Sequence, residues 1–259
     1  MEPAVSELKT AIVPASTSPP RVGFGEVHVW CVRLDVPPET LARLEATLAV
    51  DERHRSARLR FRRDRRRFIV AHGALREILG QYLETEPGRI SYGVQAFGKP
   101  ELNPAFGDRL KFNLSHSAGL ALIAIAAGSE IGVDLEYVRG QLDYAALARH
   151  FFSDAEVRRL GALPDHRYVE AFLACWTKKE AYVKARGRGL TMLLNNFTVP
   201  LTTDPAQGPA TLQIASNDID RVIRWSIHTL RPAPGYIGAL AVRGGGWRLS
   251  QWQWPIRPG

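Results

Sequence analysis

Cysteine is scarce in this chain: its 259 residues include only Cys31 and Cys175, both in apolar surroundings. This excludes a disulfide-stabilised secreted scaffold and predicts two buried, reduced thiols. The apolar stretch 120–127 is far too short to span a bilayer, and residues 1–23 contain no hydrophobic region typical of a signal peptide. We therefore expect a cytoplasmic protein that does not associate with membranes.

The net charge of +8 comes from one short segment. Of 34 basic and 26 acidic residues, nine arginines and one aspartate lie between Arg53 and Arg67, so 25 of each sign remain elsewhere. A polyanion or an acidic protein should therefore bind near this predicted basic helix. Such a helix is also typical of nucleic-acid binding, but no helix-turn-helix, zinc-finger or aromatic RNA-binding motif accompanies it. Nucleic acid is therefore the second choice of partner.

Apolar periodicity predicts strands and helices in an irregular order. The predicted strands are 27–34, 90–95, 111–114, 120–127, 131–137, 196–200, 211–214, 223–230 and 236–242, and the predicted helices are 39–50, 65–83, 144–151, 154–160 and 168–185. This mixture indicates an α+β fold with antiparallel strand pairing. We expect a disordered tail over 1–23, one half over 24–128, a second half over 129–243 and a tail over 244–259. The tryptophans of this last tail should pack over the core as an extra strand, the alternative being a partly exposed flap.

Two segments of the second half place charged side chains on shared faces. Asp134 and Glu136 are two residues apart on a predicted strand, so both point to the same side. Glu180 precedes Lys184 by one turn of a predicted helix. Taken alone, the first pair could be a solvated strand end and the second an ordinary exposed helix pair. Together, three carboxylates and one ammonium suit magnesium and a phosphorylated substrate.

These residues belong to a longer series of motifs. In chain order the motifs are Gly98-Lys99-Pro100, Phe112-Asn113-Leu114-Ser115-His116-Ser117, Gly132-Val133-Asp134-Leu135-Glu136, the run from Phe172 through Trp176, Glu180 and Lys184, and Gly187-Arg188-Gly189-Leu190. By their order and spacing, the chain resembles the 4'-phosphopantetheinyl transferases. Within that family it is similar to the larger monomeric type, the surfactin-synthetase-activating type, and the resemblance covers residues 27–242.

The resemblance implies a pseudo-dimer of two similar halves with mostly antiparallel sheets and the active site in the cleft between them. No sequence repeat between the halves supports this symmetry independently. The resemblance also implies a holo-[acyl-carrier-protein] synthase activity: transfer of the 4'-phosphopantetheine arm from coenzyme A to a serine of an apo acyl or peptidyl carrier domain. Adenosine 3',5'-bisphosphate would be released, and the clients would be polyketide or non-ribosomal peptide synthases.

The roles of individual residues follow from matching the motifs. Asp134, Glu136 and Glu180 are expected to bind Mg²⁺, with Mn²⁺ as a possible substitute, and Lys184 to stabilise the departing phosphate. Glu180, directly or through a metal-bound water, is the candidate to accept the serine proton. The residues expected to bind coenzyme A are Arg53, Arg55, Lys99, Pro100, Ser115, His116 and Lys184, with Arg55 on the 3'-phosphate.

Two other functions remain open at this point. The first is a nucleic-acid-binding module built on the arginine-rich segment, and the second is a catalytically silent homologue that only binds carrier domains. The remaining arginines of the segment, from Arg62 to Arg67, are expected to form a solvated helix face that an acidic carrier domain could contact.

Overall fold

The structure is a computed structural model that describes residues 21–95, 97–139, 142–189, 192–208, 210–211, 213–214 and 224–254. Its helices and strands are, in chain order, β1 (Glu26–Arg33), α1 (Pro38–Thr47), α2 (Val50–Ala57), α3 (Arg62–Leu83), β2 (Tyr92–Val94), β3 (Pro100–Leu102), β4 (Leu110–Ser117), β5 (Leu120–Ala127), β6 (Ile131–Tyr137), α4 (Tyr144–Phe151), α5 (Asp154–Gly161), α6 (Asp165–Arg186), β7 (Phe197–Thr198), β8 (Ala210–Thr211), β9 (Gln213–Ile214), β10 (Trp225–Leu230), β11 (Tyr236–Arg243) and β12 (Arg248–Gln253). Across these ranges, no helix is both long and apolar enough to cross a membrane.

Two four-stranded sheets form the centre of the molecule, with strand orders β12-β1-β5-β4 and β6-β11-β10-β8. Neighbouring strands are antiparallel except β1 and β12, which are parallel. The mixed α+β class and its mostly antiparallel sheets are therefore confirmed. The parallel pair is an exception that the strand pattern did not predict.

Alternation along the strands arranges the two sheets and two long helices in layers. Val29 of the first sheet and Val133 of the second belong to one buried cluster, so these sheet faces pack together. The opposite face of the first sheet packs against α3, with Ile123 in the same cluster as Ile78. Helix α6 covers the second sheet in the equivalent way. Since β4 and β6 are edge strands of different sheets, the point where they meet is open to side chains from both.

Polar side chains join β4 to β6. Asn113 Oδ1 accepts a hydrogen bond from the Val133 amide at 2.9 Å. Ser117 Oγ accepts one from the Tyr137 amide at 3.1 Å. These residues of β4 are separated by an even number of positions and therefore lie on the same face, together with Ser115. This face of β4 holds β6, and with it Asp134 and Glu136, at a fixed distance from the first sheet.

The prediction of one continuous basic helix over 53–67 is wrong. Helix α2 ends at Ala57 and α3 begins at Arg62, with Phe61 in an extended conformation. The reason is a long-range ion pair: Glu52 accepts a hydrogen bond at 2.7 Å from Arg76, and both side chains are buried. The chain must turn back between them, so the arginines are divided between two helices. The helix predicted over 39–50 also ends early, at Thr47.

The C-terminal strand returns to the first sheet. Residues Glu26 to Cys31 pair with Arg248 to Gln253, and the Trp252 ring stacks on Trp30 with centroids 5.3 Å apart. The expectation that the tryptophan-rich tail packs as an additional strand is confirmed. The disorder predicted for residues 1–23 falls almost entirely outside the described residues, and the boundary between halves at 128 stays a prediction.

Candidate active site

Helix α6 lies against β6 and carries the two predicted catalytic side chains. Gly132 has no side chain to separate the strand from the helix, so the backbones approach closely where Ala181 and Ala185 face it. This close approach places Lys184 over Asp134, two residues further along β6. The helix face that carries Glu180 and Lys184 is therefore turned towards β6.

Lys184 is hydrogen-bonded at the centre of this site. Its Nζ donates to Asp134 Oδ1 at 2.6 Å and to Ser115 Oγ at 3.0 Å. Ser115 Oγ also donates to Asp134 Oδ1, at 2.9 Å. The structure therefore brings together three predicted site residues from β4, β6 and α6. The sequence predicted their presence in one site but not the Lys184–Asp134 ion pair.

Negative charge exceeds positive charge around this ion pair. Burial raises the pKa of the Glu180 carboxyl, and the nearby Asp134 and Glu136 raise it further, while Lys184 opposes them. Burial and then Asp134 also raise the pKa of Glu136, although a hydrogen bond from Ser117 lowers it. Like charges disfavour each other's ionised form. The raised pKa of Glu136 and of Glu180 therefore indicates that the three carboxylates lie close enough to interact.

This donor set fits a divalent cation. Asp134 Oδ2 is buried and has no hydrogen-bond partner among the described residues. A buried carboxylate oxygen without a partner is costly, and three carboxylates with one ammonium leave a net negative charge that a hard cation would neutralise. In the described part of the chain, no three His, Cys, Asp or Glu side chains are already gathered closely enough to hold a metal ion. The oxygens would have to converge when the ion binds.

Lys99, which directly precedes β3, is bonded to β6 and its preceding turn and to α6. Its Nζ donates to Glu130 Oε2, to the Ile131 carbonyl and to the Ala185 carbonyl, each at 3.1 Å. Burial lowers its pKa, partly offset by Glu130. The Ala185 bond satisfies a carbonyl in the last turn of α6, where positive charge is favourable. Lys99 and Pro100 line two neighbouring cavities, but the Lys99 ammonium is occupied by protein acceptors.

Arg53 and Arg55, the two arginines of α2 that were predicted to bind coenzyme A, lie in different surroundings. Arg53 Nε donates to the Leu48 carbonyl at 2.9 Å, which closes the turn between α1 and α2. Arg55 is half exposed, lies 3.4 Å from Asp51, and has its guanidinium 5.8 Å from the centre of the Phe68 ring. Of the two, only Arg55 lines a cavity, which has a volume of 530 Å³.

Ser115 and His116 lie at the end of β4, which extends three residues beyond the predicted strand. Alternation therefore points them to opposite faces. Ser115 faces Asp134 and Lys184, whereas the His116 ring lines the 530 Å³ cavity together with Arg55. Desolvation by the surrounding protein lowers the pKa of His116, and the nearby His72 and Lys184 lower it further.

Three cavities adjoin one another around β4. The 530 Å³ cavity shares Asn113 and Leu114 with a 590 Å³ cavity that contains Glu180 and Lys184. A third cavity, of 740 Å³, shares His116 with the first and Trp176 with the second. The third is lined by aromatic side chains and by basic ones of α3. They include Phe68, Tyr144, Phe172, Trp176, Arg63 and Arg67.

Other residues of the α6 motif are structural. The rings of Phe172 and Trp176 stack with centroids 6.1 Å apart and form hydrophobic support for the helix. Lys179 forms a buried ion pair with Glu156 at 2.8 Å. Lys178 donates to carbonyls at Pro200 and Thr202, and burial lowers its pKa to about 8. These contacts fix α6 against the loops behind it.

Three residues around the site had no role predicted from the sequence: His72, and Asn113 and Ser117 of the motif at residues 112–117. Asn113 and Ser117 alternate with Ser115, so recognising that β4 continues to residue 117 would have found both. His72 lines the 530 Å³ cavity but lies in the middle of α3, and no local pattern distinguishes it from other polar helix residues.

Comparisons with known proteins identify the family of this chain. A family model described as the 4'-phosphopantetheinyl transferase superfamily matches residues 130–241, which contain β6 and α6. The 4'-phosphopantetheinyl transferase HetI of Nostoc sp. is 42% identical over 230 residues, 88% of this chain and 92% of that protein. A 4'-phosphopantetheinyl transferase of Bacillus subtilis is 31% identical over 163 residues (62% of this chain, 70% of the relative). The transferase Sfp of Bacillus subtilis strain 168 is 26% identical over 181 residues (69% and 78%).

These similarities define an enzyme of the transferase class. The chain belongs to the 4'-phosphopantetheinyl transferase superfamily.

Proposed function

We propose that this enzyme transfers the 4'-phosphopantetheine arm of coenzyme A to a serine hydroxyl of an apo acyl or peptidyl carrier domain and releases adenosine 3',5'-bisphosphate. It would act as a monomer of the larger family type, in the cytoplasm, on polyketide or peptide synthases. The observation that carries the proposal is the site formed by Lys184, Asp134 and Glu180 within the stretch that the family model matches. Both cysteines are free, in keeping with a reducing compartment.

Coenzyme A would lie along the adjoining cavities, in a cleft between two halves of a pseudo-dimer. The 530 Å³ cavity, with Arg55 and His116, suits the phosphorylated nucleotide end. The 590 Å³ cavity, with Glu180 and Lys184, suits the pyrophosphate. The 740 Å³ cavity, with Arg63 on its wall, would then face the acidic carrier domain that presents the serine.

Asp134, Glu136 and Glu180 would hold Mg²⁺, which supplies charge neutralisation at the pyrophosphate. Lys184 would move its hydrogen bonds from Asp134 to the leaving phosphate and stabilise the negative charge that develops there. Glu180 would accept the proton of the serine hydroxyl.

One experiment tests this proposal against its rivals. The protein is incubated with coenzyme A, Mg²⁺ and an apo carrier domain, and the intact mass of the carrier is measured. We expect a gain of one phosphopantetheine arm with the wild type and none with Asp134→Ala, whose fold is checked by thermal denaturation. A wild type that binds the carrier without modifying it would be a silent homologue. If it instead retains only a DNA or RNA fragment, nucleic-acid binding is the better description.

A further inference from the structure

A buried carboxylate lies behind the cavity assigned to the nucleotide end. Glu52 is 1% exposed, and its Oε2 accepts hydrogen bonds from Arg76 Nε at 2.7 Å and from the Ala49 amide at 2.9 Å. Burial alone raises the pKa of Glu52, but its interactions with His72, Ala49 and Arg76 outweigh burial and lower it. Glu52 is therefore an ionised carboxylate in the protein interior.

The second oxygen of this carboxylate faces His72. Glu52 Oε1 is buried and lies 3.3 Å from His72 Nδ1, a contact that lowers the pKa of Glu52. A nitrogen beside a carboxylate oxygen is the donor nitrogen of its imidazole. Nε2 is then the ring's remaining polar atom. The ring is held in place because it stacks on Phe68, with centroids 4.0 Å apart.

His72 shares its cavity with three other basic side chains, Arg55, His116 and Arg76. Arg55 comes from α2, His72 from α3 and His116 from β4, and all three line the same 530 Å³ space. Arg55 lies over the Phe68 ring on which His72 stacks. The Arg76 guanidinium lines this space as well, but it donates to Glu52, Pro87 and Ile90. The other acidic group on the wall is Asp51, beside Arg55.

We propose that His72 is a specificity-determining residue that, positioned by Glu52, contacts the 3'-phosphate of coenzyme A together with Arg55 and His116. This inference rests on the proposed function. A phosphomonoester dianion at Nε2 and the Glu52 carboxylate at Nδ1 would accept one hydrogen bond from each nitrogen of an imidazolium. Charge-assisted hydrogen bonds of this kind discriminate strongly between ligands that carry the anion and ligands that lack it.

The test compares coenzyme A with its 3'-dephospho analogue as donors to an apo carrier domain. The variant is His72→Asn, because the asparagine amide can still donate to Glu52 from the place of Nδ1 while nothing replaces Nε2. We expect KM for coenzyme A to rise about tenfold or more, the effect of one lost hydrogen bond to a charged group, with kcat unchanged. KM for the dephospho analogue should stay at the wild-type value. Activity with that analogue also reports that the variant is folded.

His54→Asn is the matched control. His54 lies on α2 two residues after Glu52, but it is exposed and does not line the cavity. It should leave both Michaelis constants unchanged. An equal rise of KM for both donors in His72→Asn would give His72 a structural role and overturn the inference, as would no rise for either. If the wild type transfers nothing from coenzyme A, the proposed function itself fails, which is a different result.

Discussion

Gly132 of β6 lies directly under the Ala181 carbonyl of α6: a Cβ on Gly132 would be 2.1 Å from that oxygen and 2.4 Å from the Ala185 amide nitrogen. Both neighbours are backbone atoms, so neither can rotate away. Gly132→Ala should therefore force helix and strand apart, at a cost of about 3 kcal/mol or more. We expect a lower melting temperature and loss of transfer, because Lys184 moves away from Asp134.

Gly161→Ala is the control for this substitution. Gly161 is the last residue of α5, and no atom lies within 4 Å of a Cβ built on it. Replacing this glycine reduces the conformational freedom of the unfolded chain. The free energy of unfolding should therefore stay unchanged or rise by about 0.5 kcal/mol. Thermal denaturation of both variants makes the comparison. Equal melting temperatures for Gly132→Ala and wild type would show that α6 does not depend on this contact.

Glu180→Gln should stabilise the protein while it abolishes transfer. The pKa of Glu180 is raised in the folded state, so its contribution to stability is fully present below its ordinary pKa of 4.5 and is lost as the pH rises through the raised value. At neutral pH the wild type therefore carries an unfavourable carboxylate that glutamine removes. Thermal denaturation without divalent ions should show the variant more stable at pH 7 and the difference smaller at pH 4.

Adding Mg²⁺ extends this comparison. A cation bound by the three carboxylates stabilises only the folded state, so it should raise the melting temperature of the wild type more than that of Glu180→Gln. Glu170→Gln is the control, because Glu170 lies on the same helix but pairs with Arg231 at the surface. A Mg²⁺ response that is the same in all three proteins would contradict the metal assignment.

Lys184→Ala should lower kcat more than it raises KM for coenzyme A. The ammonium is bonded to Asp134 and Ser115 in the free enzyme, and its charge matters most when the leaving phosphate develops negative charge. Steady-state kinetics at saturating Mg²⁺ separate the two parameters. Lys184→Arg, which keeps the charge, should retain part of the turnover. If kcat is unchanged and only KM rises, Lys184 merely positions the substrate.

Replacing Arg62 and Arg63 with alanine should slow association with the carrier domain and leave coenzyme A binding unchanged. Both are exposed at the start of α3, and rim charges of this kind steer an acidic partner from solution. Arg66 is not included because it donates to the Val36 carbonyl and thus supports the fold. Association rates at low and high salt provide the measurement. Loss of nucleic-acid binding alone, with carrier association intact, would favour the rival function.

The sequence predicted the parts of this molecule that depend on local pattern. Period-two alternation placed Asp134 and Glu136 together, and a four-residue spacing placed Glu180 before Lys184. The fold class followed from the order of helices and strands. Residues outside any such pattern, above all His72, were not found.

Contacts between distant segments could not be predicted in the same way. The break between α2 and α3 depends on Glu52 reaching Arg76, and no local pattern shows that pair. The parallel partner of β1 lies more than two hundred residues away, and many strands could have taken its place. The Lys184–Asp134 ion pair likewise depends on how closely α6 approaches β6, which Gly132 determines.

The position of β12 affects how this protein is made on the ribosome. Strand β1 is among the first elements to be synthesised, yet one of its two edges is completed only by residues 248–253. During translation the three strands β1, β5 and β4 can pair, but the outer edge of β1 stays exposed until β12 has left the exit tunnel. Because such distant pairing is slow to form, the first sheet is completed late, and until then the nascent chain presents an open strand edge that chaperones can bind.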